Sequence, residues 1–128
     1  MKWIAIVIAF IALSAVVTAA EHTQDSVDTV KKAVSDGKAV IIDVREDSEW
    51  KNGHLQDAKH LPLSEIKKGV SDSKLKASIP NGKIAYLHCA SGKRCLVAAD
   101  LLKANGYDVR PLKPGYEELL KAGMKRRE

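Results

Sequence analysis

Two short apolar runs constrain the fold more than anything else in this chain. "AVIIDVR" (residues 39–45) and "KIAYLHC" (residues 83–89) are dense in apolar side chains and barely alternate with polar ones. Each ends in charged or reactive residues. A strand that is apolar on both faces must be covered on both faces, as in the parallel sheet of an α/β domain. The segments between and around them carry helical signals. In "DSVDTVKKAVSDG" Val27, Val30 and Val34 recur at helical spacing, Asp25 or Ser26 offers a cap and Gly37 a stop. "DSEWKNG" is long enough for one or two turns, and "AKHLPL" reads as a short strand stopped by Pro62. "SEIKKGV" reads as a short helix capped by Ser64, and "DSKLKASIPNG" as a helical turn followed by a tight turn. "RCLVAADLLKANG" reads as a helix ended by Gly106, followed by a strand in "YDVRPL" and a last helix in "GYEELLKAG". Strands alternate with helices, so the expected class is α/β with a central, mainly parallel sheet.

Residues 1–20 stand apart. Lys2 is the only charge before Glu21, and between them runs "WIAIVIAFIALSAVVTAA". A basic start, an apolar stretch and a small-residue end make a secretory leader, with cleavage expected after Ala20 and Ala19 the neighbouring choice. The competing reading, an uncleaved anchor, has an apolar segment short of the ~20 residues a spanning helix prefers. The expected organisation is a signal peptide over 1–20 and one domain over 21–128. The expected location is outside the cytoplasm, the periplasm in a Gram-negative host, with no stable membrane anchor after cleavage. The full chain carries a net charge of +5, with basic residues clustered near the C-terminus. That excess suits small anions and is too weak and scattered for nucleic acid. The final "KRRE" reads as a solvated, frayed tail.

Both cysteines lie in "HCASGKRC", residues 88–95. Two cysteines do not make a disulfide scaffold. Cys89 ends a strand and the next helix begins near Arg94, so "ASGKR" is a strand-to-helix turn. In such a turn backbone N–H groups converge and the helix start adds positive partial charge. Gly92 permits a backbone angle that other residues resist. Ala90 and Ser91 are small and leave the centre open. Lys93 and Arg94 add full positive charge. Every one of these features favours a thiolate, so Cys89 is the candidate nucleophile and Ala90, Ser91, Gly92, Lys93 and Arg94 its candidate anion cradle. Asp43 and Arg45 end the other buried strand and are expected to support the site: Asp43 by bonding the neighbouring loop, Arg45 by pairing with Glu46, Glu49 or Asp43. Cys95 is either a small buried residue at the helix start or a second thiol able to form a disulfide with Cys89. His54 reads as structural, Trp50 as packing for the short helix, and His88 as either packed beneath the sheet or tuning its neighbour. The histidines and cysteines follow no zinc spacing, so no metal site is expected.

These motifs resemble a known family. "CASGKR" is similar to the Cys-x-x-Gly-x-Arg loop of rhodanese-like sulfurtransferases. "IIDVREDSEWKNGHLQDAKHLPL" resembles the same family's Asp-x-Arg strand end and its following Gly-His-Ile-x-x-Ala segment. The resemblance runs from about Asp25 to the last helix. It implies a single rhodanese domain that moves a sulfane sulfur through a Cys89 persulfide, without cofactor. The implied donor is a small anion such as thiosulfate, and the acceptor is cyanide or a thiol. Many members carry a small residue such as Ser or Ala where this chain has Cys95. That keeps open an alternative, a dithiol/disulfide redox or sulfane-sulfur carrier module using Cys89 and Cys95 with a thioredoxin-like reductant. Cysteine phosphatases have five residues between Cys and Arg. Here that Arg position is Cys95 and Arg94 comes one residue early, giving a smaller cradle.

Overall fold

The structure is a computed structural model that describes residues 2–9, 11–12 and 19–128. From residue 26 onward the chain forms β1 (Ala39–Asp43), β2 (Ala58–His60), β3 (Ile84–His88) and β4 (Val109–Pro111). The helices are α1 (Val27–Ser35), α2 (Asp47–Asn52), α3 (Leu63–Lys68), α4 (Asp72–Ser78), α5 (Arg94–Lys103) and α6 (Tyr116–Lys121). The four strands form one sheet in the order β2-β1-β3-β4, every pair parallel. The fold class is therefore α/β, a central parallel sheet flanked by helices.

Side chains alternate across each strand, so the two central strands feed two separate cores. Ile42, Ala85 and Leu87 pack with Leu63, Ile66, Leu75, Ala98 and Leu102 beneath α3, α4 and α5. Ile41 and Tyr86 pack on the opposite face with Val30, Leu112 and Leu119 beneath α1 and α6. This two-sided burial is why the β1 and β3 sequences lack alternation.

The strand order changes direction at β1: the chain goes outward to β2, then crosses back to place β3 on the other side. Ligand crevices in open α/β sheets form at the carboxyl ends of the strands beside such a point. The register aligns Asp43 with both His60 and His88, so the residues after β1 and β3 emerge at one edge. Cys89 is the first residue past β3.

Two local expectations are corrected. Ser64 does not cap α3, which starts one residue earlier at Leu63; its hydroxyl instead donates to Glu46 Oε2 at 2.6 Å. The C-terminal tail is not frayed. Arg127 N donates to His54 O at 2.9 Å, Gln56 N to Lys125 O at 2.8 Å, and Arg126 Nη2 to Asn52 O at 2.7 Å. Charge composition suggested solvation, but the backbone here finds partners on the segment after α2. The α1 cap is Ser26, whose Oγ accepts from Thr29 N at 3.1 Å. Of the expected leader, residues 1, 10 and 13–18 lie outside the described residues. Trp3, Ile4, Ile6, Val7, Ile8 and Ile11 are exposed, and no helix among the described residues is long and apolar enough to cross a membrane.

Candidate active site

Cys89 leaves β3 with its carbonyl fixed by Tyr116 N at 2.9 Å, then the chain turns through Ala90–Lys93 into α5. The turn closes on the sulfur: Gly92 N donates to Cys89 Sγ at 3.1 Å. Gly92 has φ 85°, in the region that favours glycine, and a Cβ there would press on the Lys113 carbonyl. A Cβ on Gly115 would overlap the Ala90 carbonyl oxygen, so the segment before α6 lies directly against the loop.

Cys95, the second residue of α5, is as buried as Cys89, and neither is in a disulfide. Its Sγ lies 3.1 Å from Gly92 O and 3.3 Å from Leu112 O. The Cys89 thiol is held far below its ordinary range, at about 5. The largest cause is a hydrogen bond from the Cys95 thiol; burial opposes it, and the N–H groups of Cys95, Ser91 and Gly92 add to it. The proton of Cys95 is correspondingly hard to remove: its pKa is pushed up by the neighbouring Cys89 sulfur and by burial.

The charged members of the turn behave differently from one another. Lys93 is exposed. Arg94 forms a two-pronged pair with Glu49 of α2, Nη1–Oε1 2.6 Å and Nη2–Oε2 2.8 Å. That pair holds the Glu49 carboxyl down to about 2 and raises the Arg94 pKa. Both side chains are about one-third exposed. Arg94 therefore sits at the rim of the turn, anchored across to α2, and the sulfur's own partners are amides and a thiol.

Asp43 and Arg45 lie behind the loop as a buried pair. Asp43 accepts from Arg45 N (2.9 Å), Nε (3.1 Å) and Nη2 (2.9 Å). Arg45 Nη2 also donates to Gly53 O at 2.7 Å, and its guanidinium lies 4.1 Å from the centre of the Tyr116 ring. Of the three partners expected for Arg45, the structure selects Asp43 and gives Glu49 to Arg94. His88 is fully buried, with Nε2 3.6 Å from Asp43 Oδ2 and no hydrogen-bond partner among the described residues. Burial pushes its pKa down, so it stands neutral under the sheet. His54 Nδ1 contacts Trp50 O at 2.9 Å, and Trp50 is stacked between the His54 and His60 rings.

Four parts of this arrangement escaped the sequence reading. They are the Arg94–Glu49 pair, the close approach of Gly115, the Leu112 carbonyl on Cys95, and His22, whose Nε2 lies 2.7 Å from Gly92 O. A glycine just before the last helix was the one available signal. The other three join residues far apart in the chain.

With the turn, the strand-end pair and the strand order in view, the family comparison is direct. Residues 26–122 match the rhodanese-like domain family. This chain belongs to that family. A putative mitochondrial thiosulfate sulfurtransferase of Schizosaccharomyces pombe is 31% identical over 84 residues, 60% of this chain and 59% of that protein. The putative sulfur carrier protein YrkF of Bacillus subtilis is 29% identical over 96 residues, 68% of this chain and 49% of that protein. The chain thus spans half to three-fifths of these relatives. Among solved structures, the rhodanese-like domain protein of Staphylococcus aureus superposes with a TM-score of 0.62 at 27% identity, covering 80% of this chain and 95% of that one. The human single-domain sulfurtransferase TSTD1, at 22% identity and TM-score 0.58, shares the fold, covering 73% of this chain and 91% of that one.

Proposed function

We propose that this domain is a sulfurtransferase that carries sulfane sulfur on Cys89, with thiosulfate as a competent donor. The observation that carries the reading is the Cys89 sulfur itself, at a strand end with Gly92 N–H 3.1 Å from it, in surroundings that bring its pKa down to about 5. The thiolate attacks the outer sulfur of thiosulfate. A new S–S bond forms to Cys89, the S–S bond of the donor breaks, and sulfite leaves with the electron pair. A nucleophilic acceptor, cyanide or a thiolate, then takes the outer sulfur as thiocyanate or a persulfide and returns Cys89 to its thiolate. The same amides that hold the thiolate are placed to hold the terminal persulfide anion. Lys93, exposed at the rim, supplies positive charge for an approaching dianion, beside the Arg94–Glu49 pair. Cys89 has no exposed surface, so donor entry requires the turn to part at Ala90 and Ser91, both exposed.

The resolving-thiol alternative, with Cys95 attacking a Cys89 persulfide and a thioredoxin-like protein restoring the dithiol, is disfavoured by the state of Cys95. Its thiol is buried beside the Cys89 sulfur and keeps its proton, so it is a poor nucleophile.

Intact-mass measurement tests the reading. Protein expressed with residues 1–20 and incubated with thiosulfate is expected to gain about 32 mass units and to lose them on adding cyanide. No gain at any pH contradicts thiosulfate as donor. The leader-like pattern of residues 1–20 supports export, and the same spectrum reads it: a mass lacking those residues is expected, and a full-length mass contradicts it.

A further inference from the structure

The residues just before the family-matched domain, which begins at residue 26, form a strap across the active turn. Thr23 N donates at 2.8 Å to the carbonyl of Pro111, the last residue of β4. Asp25 Oδ2 accepts from Tyr86 OH at 2.6 Å and Arg110 Nη1 at 2.9 Å. These ties lie just after His22 and hold the strap that carries it in place. Its Nε2 is 2.7 Å from Gly92 O. A carbonyl only accepts, so Nε2 carries the hydrogen in this contact.

Gly92 is where this contact has leverage. Lacking a side chain, glycine leaves both flanking peptide planes free to rotate. Its N–H is the donor on Cys89 Sγ, and its carbonyl receives the His22 imidazole, with Cys95 Sγ 3.1 Å away. The Cys89 and His22 contacts come from separate parts of the chain, and together they fix which way this residue faces. The His22 ring also sits 3.2 Å from where a Gly92 Cβ would lie, closing the space beside the turn.

We propose that His22 is a positioning residue for the Cys89 turn, holding the Gly92 carbonyl in place so that the Gly92 N–H stays on the sulfur. It acts through Gly92 and does not touch the reacting atoms. The consequence for turnover rests on the sulfur-transfer reading; the consequence for the thiolate does not.

The test is the pH dependence of Cys89 alkylation by iodoacetamide, followed by intact mass, in wild type, His22→Phe and His22→Gln. Alkylation needs no sulfur donor, so its result stands whether or not the chain accepts sulfur from thiosulfate. The plateau rate reports access to the sulfur, and the midpoint reports the cradle. His22→Phe is expected to raise the midpoint by about one unit, roughly tenfold less thiolate below the midpoint. His22→Gln, whose amide can donate in place of Nε2–H, is expected to recover most of that shift. Equal midpoints in all three proteins overturn the proposal. Should His22→Phe fail to fold, the wild-type protein supplies the test through its imidazole nitrogen resonances. A hydrogen on Nε2 of His22, protected from exchange, is expected, and a neutral ring carrying it on Nδ1 overturns the proposal.

Discussion

Cys89→Ser is expected to abolish sulfur loading from thiosulfate, a loss on the order of 10³-fold or more, while Cys95→Ser retains it. A serine hydroxyl in the turn stays protonated and cannot accept a sulfur as a stable persulfide. At position 95 a hydroxyl keeps the donor that the Cys89 thiolate uses, so the cradle survives. Cys95→Ala removes that donor, and because the Cys95 hydrogen bond is the largest influence holding the Cys89 pKa down, the Cys89 pKa rises. Loading by Cys95→Ala is then expected to be slow near pH 6 and to recover in alkaline solution, where even an ordinary thiol ionises. A resolving role for Cys95 predicts something different: loss of turnover in both variants at every pH. Intact mass after timed incubation with thiosulfate separates the two patterns.

Asp43→Ala is expected to destabilise the domain by about 3–5 kcal/mol, measured by urea denaturation. Asp43 and Arg45 are almost fully buried, at 0% and 6% side-chain exposure. Removing the carboxylate leaves a guanidinium in the interior that keeps Gly53 O and the Tyr116 ring but loses its closest charged partner. Domains of this kind hold only about 5–15 kcal/mol in total, so much of the folded margin disappears. The exposed Lys32–Asp36 pair on α1 is the internal comparison: Lys32→Ala is expected to cost under about 1 kcal/mol, since solvent already screens that pair. Equal costs for the two variants contradict the structural role given to Asp43. The damage also reaches the site, because Asp43 is the register partner of His88, immediately before the nucleophile.

What could be read in advance follows from the range of the interactions involved. The β1 and β3 runs announced themselves because burial on both faces leaves a local mark, an unbroken apolar stretch. The turn from Cys89 to Arg94 was visible for the same reason: a strand end, a glycine and a helix start adjoin in sequence. Pairings across the fold leave no such mark. Arg94 could have faced the sulfur on composition alone, but α2 brings Glu49 within reach and claims the guanidinium. The role of Cys95 was open because spacing says nothing about where a thiol points; burial against the Gly92 and Leu112 carbonyls makes it a donor. His22 leaves no such mark either: it lies just past the apolar run of residues 3–20, and only the crossing of Thr23 over Pro111 carries it to the turn.

The charge state of one sulfur is the centre of this account, and a pH titration of the thiolate in the wild-type protein measures it directly. Ultraviolet absorbance of the thiolate, checked by the rate of alkylation, is expected to give a midpoint at about 5 for Cys89. A midpoint at about 8.5, the value of a free cysteine, contradicts the cradle and with it the proposed sulfur transfer.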